Sequence, residues 1–284
     1  MGLVFVPTPL GNLRDITLRA VDTLRDASLI VAEDSRVTRR LLNALAIGTK
    51  EIWTYHDHNA RTATPAILER AREGDVAVVS DAGTPGISDP GSALVAAARE
   101  AGIGVEVLPG PAAFVCAAVL SGFDLRRFAF AGFPPRSGGA RRAAFREALG
   151  ETTVWYEAPH RIRAALADLA AAAPDRRVFL VRELSKLHEQ QVLGTAADVN
   201  RAIADPIRGE FVFVVEGGAR ESAGAAADGG AASAQDDAAI DAAIDALLAE
   251  GLSTSAIAKR LADEGRGERR HLYARVIERR AQDA

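Results

Sequence analysis

Cysteine is almost absent from this chain. The single thiol, Cys116, excludes an internal disulfide and a cysteine-based zinc site. It lies in the apolar run 114–120, where it is expected to be a buried small hydrophobe, not a nucleophile. No apolar run approaches the roughly 20 residues that a membrane-spanning helix needs. The opening stretch Met1-Gly2-Leu3-Val4-Phe5-Val6 lacks a basic leader region and soon meets Pro7 and Pro9. A signal peptide is therefore not expected, and a cytoplasmic location is. There is no G-x-G-x-x-G and no G-x-x-x-x-G-K-[ST], so neither the dinucleotide fingerprint nor a phosphate-binding P-loop is present. His56 and His58 have no evident third ligand, so they read as solvated loop residues and no metal site is expected.

What is present suits a globular chain. Its 284 residues can form two modest domains with real cores, and 48% of them are apolar. The net charge of −4 argues against a strongly electrostatic nucleic-acid binder. Its distribution changes that reading. Between Glu221 and Glu250 lie seven acids and no Lys or Arg, and removing those seven negative charges leaves +3. Basic residues cluster at 126–127, 136–146, 161–163 and 259–280. A local basic face can coexist with an acidic chain.

Strand and helix signals alternate from the start. Strands are expected at 3–6, 29–32, 52–55, 76–79 and 104–108. Between them come helical stripes, with Asp15 or Thr17, Ser35, and Thr64 before Pro65 as expected N-caps. This pattern predicts a mainly parallel sheet with helices on both faces. The central feature is Ser80-Asp81-Ala82-Gly83-Thr84-Pro85-Gly86-Ile87-Ser88-Asp89-Pro90-Gly91. Twelve residues with three Gly and two Pro far exceed a minimal turn. Gly permits close backbone approach to a ligand and Pro fixes the loop's shape. Loops after the first, fourth and fifth strands are all rich in Gly and Pro, and parallel strands would gather them on one rim.

A second alternating set is expected to begin near Phe128, with strands at 128–131, 153–156, 178–181, 191–193 and 211–215 and helices at 140–149 and 162–172. Residues 220–235 contain Ala, Gly, Ser and acids and predict a flexible linker. Three helical stripes follow: Ile240, Ile244, Leu247 and Leu248; Ile257 and Leu261; and Leu272, Val276 and Ile277.

Seven stretches carry a family resemblance over residues 3–217. They are Val6-Pro7-Thr8-Pro9-Leu10-Gly11-Asn12-Leu13-Arg14-Asp15-Ile16-Thr17, Ala32-Glu33-Asp34-Ser35-Arg36, the loop from Ser80 to Gly91, Pro109-Gly110-Pro111-Ala112-Ala113, Tyr156-Glu157-Ala158-Pro159-His160-Arg161, Arg182-Glu183-Leu184-Ser185-Lys186, and Gly209-Glu210-Phe211-Val212. Together they resemble the small-subunit ribosomal RNA cytidine 2′-O-methyltransferases, a branch of the tetrapyrrole methylase superfamily. Ser35, Ala158, Ser185 and Arg208 depart from the residues that the pattern favours, and no motif is lost.

The resemblance implies an α/β protein: two α/β domains at 1–115 and 116–218 with a cofactor cleft between them, a linker at 219–236 and a helical RNA-binding tail at 237–284. It implies S-adenosyl-L-methionine as cofactor, held by Pro9, Asp81, Ala82, Gly83, Ile87, Ala112, Ala113 and Leu187, with Glu157 also lining it. It further implies a homodimer acting on a cytidine ribose in the decoding region of 16S rRNA within the 30S subunit. A 2′-hydroxyl is a weak nucleophile, so a carboxylate base is expected, and Glu33 and Glu157 are favoured over Asp34. Asn12, Arg36, His160, Arg161, Arg182 and Lys186 are the candidate RNA contacts. His160 could instead cap a helix, and Arg182 could pair with Glu183. Two other readings stand beside this one. A methyltransferase acting on a corrin or porphyrin precursor would need neither the basic clusters nor the tail. A nucleic-acid-binding regulator would use residues 248–261 as a helix-turn-helix.

Overall fold

The protein is described from a computed structural model covering residues 2–218, 234–264, 266 and 269–282. The chain divides into two compact units, Met1–Gly218 and Ala219–Ala284.

The first unit contains two five-stranded sheets. The first is built from β1 (Gly2–Phe5), α1 (Leu18–Asp26), β2 (Leu29–Ala32), α2 (Ser35–Ala44), β3 (Ile52–Thr54), α3 (Ala60–Glu73), β4 (Asp75–Val79), α4 (Ser92–Glu100) and β5 (Gly104–Val107). Its order is β3-β2-β4-β1-β5, with every pair parallel. β2 is buried along its whole length and β4 at Val76–Val79, as strands covered on both faces must be. One core layer includes Leu3, Phe5, Ile67 and Leu94, and the other includes Val6, Leu24, Ile30 and Leu42. These layers lie on opposite faces because neighbouring side chains in a strand alternate.

The second sheet follows α5 (Ala113–Ser121) and comprises β6 (Phe128–Gly132), α6 (Gly138–Glu147), β7 (Thr152–Glu157), α7 (Ile162–Ala172), β8 (Arg177–Arg182), β9 (Gln190–Thr195), α8 (Ala196–Ala202) and β10 (Phe211–Val215). Its order is β6-β7-β10-β8-β9. Only β6 and β7 are parallel; the other three pairs are antiparallel. Strand–helix alternation therefore does not carry a parallel sheet through this half. β8 joins β9 without a crossover helix, and β10 is inserted between β7 and β8. α5 packs its Ala117 and Ala118 with Val154, Phe179 and Val212 of this sheet, so residue 115 falls inside a helix that belongs here.

Several local expectations change. Asp34, not Ser35, caps α2, because its carboxylate accepts from the Arg36 amide. α3 begins one turn before Thr64, and Pro65 lies inside it. Cys116 is exposed on α5, beside exposed Val115, Val119 and Leu120. Apolarity alone could not say which side of that helix faces the core. His58 is solvated as expected, but His56 is half-buried and its Nδ1 is enclosed without a hydrogen-bond partner.

The second unit contains α9 (Ala234–Ala249), α10 (Thr254–Asp263) and α11 (Arg269–Gln282). The three stripes meet in a core of Ile244, Leu247, Ile257, Leu261, Leu272 and Val276. Gly251 has a left-handed φ of 78° after α9, and the Ser253 hydroxyl caps α10. Arg275 and Arg279 pair with Asp241 and Asp245, each at 2.7 Å. Residues 219–233 of the expected linker lie outside the described residues. Among the described residues, no helix is long and apolar enough to cross a membrane.

One buried ion pair fixes the basic loop before α6. The Arg141 guanidinium, 8% exposed, bonds Asp168 of α7 and also donates to the Arg136 carbonyl at 3.3 Å. Removing the carboxylate strands a buried cation. Asp168→Ala should therefore lower stability by about 3 kcal/mol, read as a lower urea midpoint with an unchanged slope.

Candidate active site

The carboxyl ends of β4, β1 and β5 lie side by side, and their loops are joined across the rim. Thr8 and Gly83 exchange two backbone hydrogen bonds, both 2.9 Å. The Thr8 hydroxyl donates to the Ser80 carbonyl at 3.1 Å, and the Thr84 hydroxyl donates to the Pro111 carbonyl at 2.8 Å. Gly83 takes a φ of 83° at this joint, where a side chain would also stand 3.2 Å from Leu10. The loop after β2 is tied in by the Asp34 amide, which donates to the Asp81 carboxylate at 3.1 Å. This is the crevice position at which open α/β sheets bind ligands.

A cavity of about 350 Å³ opens above this rim. One wall comes from the joined loops: Leu10, Ala82, Gly83, Thr84, Ile87, Ser88, Asp89, Ala112, Ala113 and Phe114. The other comes from the second sheet: Phe133, Tyr156, Glu157, Ala158, Pro159, and Gly209 to Val212. The second wall is held from behind. The Glu183 carboxylate accepts from Lys186 at 2.9 Å and from the Glu210 amide at 3.0 Å. Gly209 takes a φ of 87°, which favours glycine, and a Cβ there would come within 2.5 Å of that carboxylate and displace it. The Ser185 hydroxyl donates to Asp15 at 2.6 Å, tying the loop after β8 to the loop after β1.

Glu157, Glu33 and Asp89 are shifted upward. Burial raises Glu157, against the opposing effects of the Ala158 amide and Arg161. Its Oε2 lies 3.1 Å from Arg161 but makes no aligned hydrogen bond. Burial and the neighbouring Asp81 charge raise Glu33. Burial, with Glu33 and Asp81 nearby, pushes Asp89 up to about 7. Burial likewise pushes the Tyr156 phenol up to about 12, although it accepts from the Phe114 amide at 3.2 Å.

The expected site residues separate into groups. Ala82, Gly83, Ile87, Ala112, Ala113 and Glu157 line the cavity. Pro9 and Asp81 stand next to lining residues without lining it. Leu187 is 92% exposed and outside its walls. Glu33 borders a closed crevice with Tyr55, Ser80 and Asp89 and stands outside the large cavity. Asn12 caps a short turn at Arg14, and Arg36 pairs with Asp34 at 2.6 Å. His160 is exposed and does not occupy the cap of α7, where Arg161 stands. Arg182 does not pair with Glu183; it donates to the Arg208 carbonyl at 2.8 Å and the Pro206 carbonyl at 3.3 Å, over the Phe211 ring. Asp89, Tyr156 and Phe133 were missed as site residues. Asp89 lay within the central loop, but burial, which the sequence does not display, is what distinguishes it.

Comparison with known proteins agrees with this geometry. The family model for tetrapyrrole (corrin/porphyrin) methylases matches residues 2–200. The chain belongs to that family. Within it, the chain is 40% identical to a ribosomal RNA small subunit methyltransferase I of Synechocystis, over 98% of both chains. It is 45% identical to the protein of that name from Micromonospora olivasterospora, over 76% of this chain and 70% of the other. With the Bacillus subtilis protein it shares 41% identity, over 78% and 77%. A crystal structure of diphthine synthase has the same fold, with a TM-score of 0.60 at 17% identity over 76% of this chain and 89% of the other. In this methylase, Gly83→Ala should cost about 1–2 kcal/mol for its left-handed backbone, visible in urea unfolding, because a Cβ there also crowds Leu10.

Proposed function

We propose that the protein methylates the ribose 2′-hydroxyl of a cytidine in the decoding region of 16S rRNA, using S-adenosyl-L-methionine. The observation that carries this reading is the cavity itself. Six residues expected at the cofactor, five from the first sheet's loops and Glu157 from the second, line one space. Its volume falls within the roughly 300–1,000 Å³ of small-molecule sites. Leu10, Ile87, Phe114, Phe133 and Phe211 offer apolar and aromatic surface for a nucleoside, while Glu157 and Glu210 offer carboxylates for a cation. The cofactor supplies a methyl group made electrophilic by its sulfonium. The chain's own task is to hold the nucleophile in line and to take up its proton. Glu33 and Glu157 are the carboxylates that sequence reasoning favours for that proton.

The choice of rRNA over a tetrapyrrole rests on the full-length similarity to proteins named for rRNA methylation, together with the basic clusters and the tail. Arg36 and His160 are exposed beside segments of the rim and wall and can meet RNA. Arg161, Arg182 and Lys186 are committed to internal partners and act chiefly by shaping the wall. Lys259 and Arg260 lie exposed on α10 and suit phosphate contacts from the helical module. The exposed apolar face of α5 suits a second copy of the chain in a homodimer; a monomer mass by light scattering would remove that element.

The decisive assay offers tritiated S-adenosyl-L-methionine with unmodified 30S subunits, naked 16S rRNA and a tetrapyrrole precursor. Label should appear in 2′-O-methylcytidine, with 30S subunits preferred. Label confined to the macrocycle would overturn the RNA reading. Deleting residues 237–284 should weaken RNA affinity and flatten its salt dependence, with cofactor affinity kept. Unchanged RNA affinity would remove the tail from recognition.

A further inference from the structure

Asp89 stands where the wall of the large cavity meets a closed polar crevice. It lines the large cavity with Gly83, Ile87 and Glu157, and its other side borders the crevice with Glu33, Ser80 and Tyr55. The backbone is built to present it. Ser88, immediately before, takes a left-handed φ of 63°, a conformation that a side chain adopts only under constraint. Pro90 then fixes the chain, and α4 begins two residues later.

The crevice is polar. Tyr55 is 3% exposed, and its hydroxyl is buried without a hydrogen-bond partner. A buried donor left unused is costly, so packing alone does not account for this wall. The large cavity's other carboxylate of interest is already engaged. Glu157 accepts from the Ala158 amide at 2.8 Å and stands beside the Arg161 guanidinium, so it is held as part of the wall. Glu33 does not line the large cavity at all.

We propose that Asp89 accepts the proton of the nucleophile in the large cavity, with Glu33 beside it as a positioning residue. This rests on the methyl-transfer reading above and replaces Glu33 and Glu157 as the acceptor. In the step, the hydroxyl O–H bond breaks and its proton passes to an Asp89 carboxylate oxygen. The oxygen's electron pair forms the new O–C bond, and the carbon–sulfur bond breaks with its pair left on sulfur. The groups facing Asp89 are the carboxylates of Glu33, Asp81 and Glu210, the Ser80 hydroxyl and the Tyr156 phenol. The three carboxylates hold its proton affinity up, and Ser80 opposes them. A base with a pKa near the working pH balances availability against proton-accepting strength.

The test has one kinetic arm and one that needs no substrate. In single turnovers with 30S subunits, Asp89→Asn should lower the methylation rate by about 100-fold or more. Its cofactor Kd by calorimetry should stay within about threefold of wild type. The wild-type rate should rise with pH through about 7, as Asp89 loses its proton, and the variant should lose that rise. A variant rate within threefold of wild type, or a rate loss matched by lost cofactor affinity, overturns the assignment. Carboxyl 13C NMR of the unliganded protein supplies the second arm. One aspartate should titrate near pH 7, vanish in Asp89→Asn and move to lower pH in Glu33→Gln. No such aspartate, or one unmoved by Glu33→Gln, also overturns it. If wild-type protein labels no 2′-O-methylcytidine, the rRNA reading fails instead, and the NMR arm still decides whether Asp89 and Glu33 are coupled.

Discussion

The double hydrogen bond between Thr8 and Gly83 is the constraint on which the rest of the site depends. Parallel strands leave their carboxyl ends without partners, so long loops there would ordinarily be free to separate. Here two backbone bonds form an antiparallel bridge between the loops that follow the parallel strands β1 and β4. The Thr84–Pro111 bond then brings in the loop after β5. Three segments far apart in sequence thereby become one continuous surface. That surface needs a residue at positive φ where it turns, and Gly83 supplies it.

The second sheet solves a different problem. Its facing wall begins at Gly209, where the backbone turns at positive φ so close to Glu183 that a side chain would displace the carboxylate. Glu183 is the hub: it neutralises Lys186 and receives the Glu210 amide. Lys186 completes the arrangement by also reaching Glu210 at 3.1 Å. Basic residues that look available for RNA in the sequence are thus consumed in holding the wall. The same holds for Arg161, which donates to the Pro134 carbonyl and anchors the loop leading to α6. Exposed Arg36, His160 and Lys259 are a smaller set.

Much of this was legible in the sequence. Apolar runs marked β2 and β4 most clearly, since strands covered on both faces must be apolar throughout. The Gly- and Pro-rich loops marked the rim. The second sheet's direction was not legible, because alternation of strands and helices does not encode which edge a returning strand joins. The inserted β10 is the case in point. Nor could the sequence separate Ala82 and Gly83, which line the cavity, from adjacent Asp81, which instead braces the β2 loop. Cys116 shows the same limit: apolar neighbours on a helix do not reveal which of them face outward. Leu187 sits in a recognisable motif, yet that motif works through Glu183 and Lys186 and leaves the leucine in solvent.

Charge explains why a carboxylate with high proton affinity belongs in this cavity. Glu157 and Glu210 give it a negative wall, which favours a cationic donor and disfavours stray phosphate. A wall that held the cation too well would stabilise the starting state and slow transfer, because the positive charge vanishes as the methyl group moves. Proton arrival at Asp89 removes one negative charge as that positive charge disappears. The two changes cancel within one low-dielectric space, so neither an isolated cation nor an uncompensated carboxylate is left behind. Glu33 serves this balance from the adjoining crevice, since its charge raises the proton affinity of Asp89 without its occupying space in the large cavity.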